Sequence, residues 1–428
     1  MSKSKSIAFA LMALLVLVAA ADFTLRGPLR AANARDLASP YVSALRLIRR
    51  QNPYLSDTFQ SDWHSRGASQ NVSMDQSGQH PIYPPTALIV LAPLATLSWP
   101  SAIWLYTLGC SIAYVCLVAL LSTQVGDSIR SLRRLGFIVF ALGISPIHAG
   151  IAEANPSIIV LILCGFALFL ASASDSPTAG ILLALGFCVK PTTAMAAVLV
   201  LLLYRRVKSL STFLGVSALI TIGAAIAMSH VPSGWRADYQ NNLHMLFGHN
   251  GAADFAADNT GRFDLVNLQV PLYSAFHSVR LANVSAVGTA GALAIVWLSI
   301  FYKERDTAGN GSYWLAAGTL SLIALLPVYQ RNYNAGVILL MAVWIFQNLD
   351  NVYARSALIA SAAFLFPGEA ILRKSGIGHQ FANTGTWNTV VIPHLTWSIL
   401  AVIVICCLYK VRNCVPAALS SPLPDTTV

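Results

Sequence analysis

The sequence predicts an all-α, polytopic integral membrane protein. Hydrophobic residues make up 56% of its 428 positions and charged residues only 10%, whereas a soluble globular protein carries roughly 25% charged residues. The apolar runs are long and continuous rather than alternating. Because backbone polar groups in lipid must be hydrogen-bonded within each segment, such runs indicate helices rather than the strands of a barrel.

About twelve apolar runs are predicted to form transmembrane helices, packed as one integral membrane domain over residues 1–428. Several are shorter than the roughly 20 residues that a helix needs to cross the bilayer perpendicularly, so counts of about eleven to thirteen remain open. In chain order, the runs are residues 7–23, 84–98, 101–122, 135–150, 156–171, 178–204, 211–229, 281–302, 312–327, 333–349, 356–372 and 390–409.

The distribution of lysine and arginine predicts which loops are cytoplasmic. With Lys3 and Lys5 in the cytoplasm, both termini of this plasma (inner) membrane protein are expected there. Arg130, Arg133 and Arg134 then fall on the external side and contradict the positive-inside rule. A re-entrant segment among the second to fifth runs is therefore the alternative. The clusters that agree with the rule are residues 205–208, 303–305, 355 and 410–412.

Residues 24–82 form the first long external segment of this threading. A cleaved signal peptide that ends near residues 19–21 is an alternative to the first helix, and it leaves this segment on the same side. Ser39 is a plausible N-cap and Pro40 suits the first helical position. The helix that they begin has an apolar face and a basic face that includes Arg46, so we expect it to lie along the lipid headgroups.

Residues 230–280 form the second long external segment, and its part from 244 to 264 is expected to cover the site or bind an acceptor. Asp254, Asp258 and Asp264 lack the spacing of an EF-hand. The sequence therefore predicts no metal ligand, although it leaves a divalent cation open.

The net charge of +10 does not predict a nucleic-acid partner, because cytoplasmic lysine and arginine account for it in a membrane protein. Six of the seven cysteines lie inside hydrophobic runs, and only Cys414 lies outside. Neither a disulfide framework nor a metal site follows from them. The tail, residues 416–428, is rich in proline and serine and is expected to be disordered.

Several short motifs, taken in order, resemble glycosyltransferase family 87. Residues 36–41 read DLASPY, residues 52–54 read NPY and residues 83–85 read YPP. The resemblance continues through residues 146–155 and through 179–206, so it covers roughly the first half of the chain. It implies the GT-C fold and a polyprenyl-phosphate-sugar-dependent membrane enzyme, as in the mannosyltransferases of that family, with an external active site.

The resemblance implies that Asp36 is the catalytic base. An acceptor hydroxyl that attacks an anomeric carbon must lose its proton to a positioned carboxylate. The expected reaction transfers a hexose or pentose from a polyprenyl-phosphate donor to a hydroxyl of a lipid-linked or polymeric glycan, a lipid or a protein. One early carboxylate favours inversion, since the retaining scheme needs a second. The alternative role of Asp36 is to cap the next helix. The rival carboxylate is Asp22, at the end of the first apolar run, and its alternative role is to mark the membrane interface.

Two basic residues are predicted to bind the donor phosphate. Arg331 follows a proline where family members often carry a histidine, and its guanidinium can bind phosphate in a bidentate manner. The slots matched to the family hold Asn332 and Tyr333. Lys190 stands inside a hydrophobic run, where a charge is costly and commonly functional. The alternatives are an interfacial role for Arg331 and a structural role for Lys190.

The remaining predicted substrate contacts belong to the matched motifs. Glu153 and Asn155 stand where the family often shows Gly-Gln-x-Asn. A buried glutamate is costly unless it is protonated or paired, which makes Glu153 either a site residue or a partner of a basic group. The tyrosines of these motifs are Tyr41, Tyr54 and Tyr83.

The absence of several known motifs limits the kinds of donor and the functions that the sequence allows. The sequence has no Walker A pattern, no dinucleotide fingerprint and no Asp-x-Asp pair, so no cofactor is predicted and the donor must be delivered in the membrane. A secondary transporter is the first alternative, but inverted repeats and paired broken helices are not visible. A polysaccharide polymerase or ligase is the second; such enzymes usually carry their large loop late in the chain.

Overall fold

The computed structural model describes residues 3–70, 80–126, 128, 131–256, 258–304, 310–366 and 385–414. Within these ranges the ordered structure is helical, and the one extended pairing is an isolated bridge between Leu265 and Arg331. The all-α class is therefore confirmed. The predicted tail and Arg130 lie outside the described residues.

The α-helices of the described ranges follow one another with short connections. They are α1 (Lys3–Arg26), α2 (Ala38–Ile48), α3 (Phe59–Ser65), α4 (Pro85–Ala95), α5 (Trp99–Val125), α6 (Leu132–Gly143), α7 (Ser145–Ala152), α8 (Pro156–Ala173), α9 (Pro177–Val189), α10 (Pro191–Leu203), α11 (Val207–Ser229), α12 (Trp235–Phe247), α13 (Gln269–Phe276), α14 (Val279–Glu304), α15 (Asn310–Ile323), α16 (Ile338–Gln347), α17 (Val352–Ser361) and α18 (His394–Cys414). Short 3₁₀ turns include Pro28–Asn33 and Asn332–Val337.

Six helices of the described ranges are long and apolar enough to cross a membrane. The pair α6 and α7, bent by 43° at Ile144, would make a seventh span. Other predicted runs contain apolar helices of only 10–17 residues, so the expected count of twelve is not confirmed. The six spans are Ser6–Ala31, Trp99–Val125, Pro156–Ala173, Val207–Ser229, Val279–Tyr302 and His394–Arg412.

The prediction of one membrane span over residues 178–204, kinked at Pro191, is wrong. Helices α9 and α10 meet at Lys190, because Pro191 cannot donate a backbone hydrogen bond and disfavours a helical conformation of the residue before it. The carboxylate of Asp175, before α9, accepts hydrogen bonds from the backbone N–H of Lys208 and Ser209, after α10. The two helices therefore form a hairpin whose tip carries Lys190.

The predicted crossing by residues 84–98 is also wrong, because the segment that holds α4 begins and ends on one side of the bundle. Before α4, the carbonyl of His80 accepts from the Ser39 hydroxyl, and after it, the backbone N–H of Trp99, the first residue of α5, donates to the carbonyl of Arg66. Ser39 and Arg66 both belong to the first long loop segment. We call this side the loop side. Eleven residues of helix span only about 17 Å, which is too short to cross.

With α4 confined to the loop side, α5 carries the chain to the opposite side of the bundle. There Arg133 pairs with Asp350, and Lys410 donates to Ser312. Arg133 and Arg134, which conflicted with the positive-inside rule, thus lie on the same side as the other basic groups. Because α4 does not cross the membrane, the next helices reverse their direction relative to the predicted path, and the conflict of these arginines with the positive-inside rule disappears.

Helix α2 is buried rather than spread along headgroups, which corrects the prediction of an interfacial helix. Its residues from Ala38 to Leu47 are all buried. Arg46 is 3% exposed and pairs with Asp62 at 2.6 Å, whereas Arg49 and Arg50, just after the helix, are exposed. A tertiary partner therefore covers the arginine that the helix itself carries. Ser39 is not the N-cap; that position belongs to Leu37, and the Ser39 hydroxyl donates to the carbonyl of His80.

Candidate active site

A cavity of about 700 Å³ opens among the loop-side ends of the helices. It brings together segments that are far apart in sequence: the start of α2, the residues before α4, the start of α8, the hairpin tip between α9 and α10, and the turn that precedes α16. Of the sequence-predicted site residues, those that line it are Asp36, Tyr83, Asn155, Lys190, Arg331 and Tyr333.

Asp36 is held in place from two directions. Its backbone N–H donates to the carbonyl of Glu153 at 3.1 Å, and its Oδ2 accepts a hydrogen bond from Asn155 Nδ2 at 2.7 Å. Burial raises the pKa of Asp36 above its ordinary value, while Arg331, the Asn155 hydrogen bond and Lys190 lower it. A carboxylate with a raised pKa is a stronger base than one in water.

Asn155 is fixed by the helix that it begins. It is the N-cap of α8, and its Oδ1 accepts from the backbone N–H of Ser157 at 2.8 Å. The Asn155 carbonyl accepts from Tyr106 Oη at 2.9 Å. The amide oxygen is thus committed to the cap, which leaves the amide nitrogen to donate to Asp36.

Lys190 enters the cavity from the hairpin tip. Its Nζ donates to Ser157 Oγ at 2.7 Å and to Asn334 Oδ1 at 3.1 Å, and it lies 5.7 Å from the centre of the Tyr333 ring. These partners are all neutral, and no carboxylate of the described residues lies within ion-pair distance of Nζ. Its positive charge therefore remains available to an anion in the cavity.

Arg331 stands across the cavity, at the start of the turn Asn332–Val337. The nearest approach of its guanidinium to a carboxylate oxygen is 3.9 Å, to Asp264. Its Nε is buried without a hydrogen-bond partner among the described residues. An unsatisfied buried donor on a cation favours an anionic ligand.

Two glycines let the turn that follows Arg331 pack against α7. A Cβ at Gly150 would stand 2.4 Å from the Ile158 side chain and 3.1 Å from that of Tyr333, and a Cβ at Gly336 would stand 2.4 Å from Ile147. These close approaches bring Tyr333 to the cavity wall and the neighbouring Asn334 to Lys190.

The other predicted residues stand outside the cavity. Glu153 lies beside Asp36 and is exposed as a whole residue, although protein partly surrounds its carboxyl group. This partial burial, together with the charge of Asp36, raises the pKa of Glu153 to about 7. Tyr54 lies behind the wall and donates to the carbonyl of Tyr83 at 3.0 Å. Tyr41 donates to the carbonyl of Leu97 at 2.6 Å. Tyr54 and Tyr41 thus contact the protein rather than the open space.

Two residues that the sequence did not point to contribute to the site: Ser157 and Asn334 accept hydrogen bonds from Lys190. Asp264, which the sequence offered only as a cation ligand, lies beside Arg331 instead. Asn332, one of the two slots matched to the family, does not line the cavity, whereas Tyr333 does. The sequence could have indicated Ser157 and Asn334 only by their position, since each lies within three residues of a predicted site residue.

The segment expected to cover the site does line the cavity. Leu246, Phe247 and Phe255 contribute its apolar part. Asn242, one turn earlier on α12, donates to the carbonyls of Tyr54 and Pro81 at 2.8 and 3.0 Å and ties the segment to the first loop. Among the described residues, no group of three His, Cys, Asp or Glu side chains could hold a metal ion.

Comparison with known proteins identifies one family. The family model described as Glycosyltransferase family 87 matches residues 82–327, more than half of the chain. The matched part contains Tyr83, Asn155 and Lys190, whereas Asp36 lies 46 residues before its start and Arg331 four residues after its end. Comparison with individually curated proteins finds no match.

Proposed function

Because this chain belongs to glycosyltransferase family 87, we propose that it transfers a hexose or pentose from a polyprenyl-phosphate-linked donor to a hydroxyl of a glycan, lipid or protein. The observation that carries the proposal is the composition of the cavity, which Asp36 lines together with two cations, Lys190 and Arg331. Transfer from a sugar phosphate requires this combination, because the acceptor hydroxyl loses a proton and the donor releases a phosphate anion. The second carboxylate of the lining, Asp254, accepts hydrogen bonds from the backbone N–H groups of Asn250 and Ala256.

In the proposed step, the carboxylate of Asp36 removes the proton of the acceptor hydroxyl as its oxygen forms a bond to the anomeric carbon. The bond from that carbon to the phosphate oxygen breaks, and its electron pair leaves with the polyprenyl phosphate. Lys190 and Arg331 stabilise this departing anion. Attack from the face opposite the leaving group inverts the anomeric centre.

The apolar part of the cavity supports a lipid-linked donor. Val279 and Val287 on α14 line it together with Phe247. The same valines are 56% and 54% exposed, so α14 contributes both to the cavity wall and to the surface that faces lipid. A hydrocarbon carrier can therefore remain in contact with the bilayer while its phosphate reaches the cations.

The basic groups of the opposite side support an external active site. Arg133, Lys208 and Lys410 all belong to that side, where the positive-inside rule predicts cytoplasm. We propose that both termini are cytoplasmic, that the loop side is external or periplasmic, and that the protein is a single domain of the plasma membrane.

The test is transfer by the purified protein in lipid, with a panel of radiolabelled polyprenyl-phosphate sugars. Asp36→Asn should lower turnover by about 10²–10⁴-fold, since the variant keeps the size of the side chain but cannot accept the proton. The matched control is Asp57→Asn, an exposed carboxylate of the same loop, which should retain turnover. Full turnover by Asp36→Asn would exclude the proposed base. Uptake of free solute into vesicles without transfer would favour a transporter instead.

A further inference from the structure

A second cavity, of about 650 Å³, lies between α4, α11 and the start of α12. We call it the α4–α11 groove. Its walls include Ala224, Ala225 and Met228 of α11 and Pro85 and Thr86 of α4. None of the residues in the proposed transfer step lines it.

The α4–α11 groove borders the lipid. Its α11 residues recur at helical spacing and form one face of the helix. The neighbouring face carries Ile222 and Ile226, which are 56% and 57% exposed on a helix that qualifies as a membrane span. The side chains of Ala224 and Ala225 are small, which leaves the space open. A hydrocarbon chain can therefore enter it sideways from the bilayer.

A cation and an indole stand at the loop-side end of the groove. The Arg236 guanidinium lies 5.3 Å from the centre of the Trp235 ring, and both residues line the groove. Arg236 is exposed, and no described carboxylate lies within ion-pair distance of it. Tryptophan and arginine at the edge of an apolar surface are the groups that meet an anionic lipid headgroup.

The groove and the active-site cavity share a wall. Tyr83 and Pro84 line the cavity, and the next two residues, Pro85 and Thr86, line the groove. Consecutive Cα atoms are only about 3.8 Å apart. The Thr86 hydroxyl donates to the Cys188 carbonyl at 2.8 Å, which holds this wall against α9. At this point the groove is therefore separated from the cavity by a thin wall of backbone.

We propose that the α4–α11 groove binds the lipid anchor of the acceptor, an anionic lipid that carries the sugar to be extended. Its hydrocarbon chain lies between α4 and α11, and Arg236 contacts its phosphate. Its sugar passes around the loop-side edge of the wall at residues 83–86 to reach the active-site cavity. This inference rests on the proposed glycosyltransferase activity. It also gives donor and acceptor separate apolar sites on the two sides of the wall.

The test uses three synthetic acceptors that carry the same sugar, each incubated with the donor that gives the highest turnover in the panel of polyprenyl-phosphate sugars. One carries a dodecyl chain through a phosphodiester, one carries a neutral dodecyl chain, and one carries only a methyl group. Ala225→Trp should lower the ratio of kcat/KM for either dodecyl acceptor over that for the methyl acceptor by about tenfold, because the indole fills the groove. Leu219→Trp, on an exposed part of α11, is the control and should leave the ratios unchanged.

Arg236→Gln should lower kcat/KM by about tenfold for the phosphodiester acceptor alone, because only that acceptor carries the anion. Arg236 is exposed, so this variant remains informative if Ala225→Trp does not fold. Equal effects on all three acceptors, or ratios unchanged in both variants, would overturn the inference. The assay is repeated in bilayers of phosphatidylglycerol, an anionic lipid that carries no sugar. If Ala225→Trp no longer changes the ratios there, bulk lipid rather than the acceptor occupies the groove, and the inference is overturned. Absence of transfer to every acceptor by the unmodified protein would instead contradict the proposed function.

Discussion

Replacement of Asn155 by alanine separates the positioning of the catalytic base from the stability of α8. The side chain makes two hydrogen bonds, one to the Asp36 carboxylate at 2.7 Å and one from the backbone N–H of Ser157 at 2.8 Å. Asn155→Ala removes both. Because the first bond favours the charged form of Asp36, its loss should raise the pKa of that carboxyl further.

The magnitude follows from the kind of bond that is lost. A hydrogen bond to a charged group contributes about 1.5–3 kcal/mol, which changes the protonation equilibrium of Asp36 by a factor of about 10–100. A base must be deprotonated to act, so the acidic limb of the pH profile of kcat/KM should move to higher pH. Below its midpoint, activity should fall by that same factor of about 10–100. Loss of the cap should lower the stability by about 1 kcal/mol.

The assay is the pH dependence of kcat/KM, measured together with thermal unfolding in detergent. The matched control is Asn351→Ala, because Asn351 caps α17 with the same bond, from the backbone N–H of Tyr353 at 2.8 Å. It should lose similar stability and keep the acidic limb of the wild type. An unshifted limb in Asn155→Ala would refute the reasoning, since Asp36 would then either not be the base or not depend on this bond.

Three further outcomes are expected. Lys190→Met should lower kcat/KM by about 10–100-fold, through loss of a charge-assisted contact to the donor phosphate, as measured with the radiolabelled donor; an effect on stability alone would contradict this role. Arg331→Gln should move the acidic limb to higher pH, because the guanidinium lowers the pKa of Asp36; a shift to lower pH would contradict the assigned electrostatics. Gly180→Ala should destabilise the protein by about 1–3 kcal/mol in thermal unfolding, since its Cβ would stand 2.2 Å from a backbone oxygen of α11, whereas Gly215→Ala, with nothing within 4 Å, should not.

The sequence did not predict correctly on which side of the membrane all the basic residues lie. Hydropathy located the apolar runs, but it could not tell a crossing helix from a short helix or a hairpin arm. In the sequence, the pair α9 and α10 forms one apolar run, in which Pro191 predicts a kink and not a reversal of direction. The hydrogen bonds from the backbone N–H groups of Lys208 and Ser209 to Asp175 show that the chain returns to the same side.

The buried helix α2 shows the same limit for an amphipathic segment. Its basic face predicts an interface with headgroups, because sequence periodicity does not reveal what covers a face. Asp62, 16 residues after Arg46, supplies the partner that makes burial possible. A charged side chain is buried when a partner is placed beside it, and that placement is a property of the tertiary structure.

By itself, the sequence determined the all-α class, the membrane setting, the family resemblance and the individual residues of chemical interest, because composition and short motifs are local properties. The tertiary structure alone decided which of them share a cavity. Asp36, Lys190 and Arg331 line one space, whereas Tyr41 and Tyr54 contact the protein behind it. The reason is physical: a proline break, an N-cap and two glycine contacts bring segments up to about 300 residues apart to the same point, and no local pattern encodes such distances.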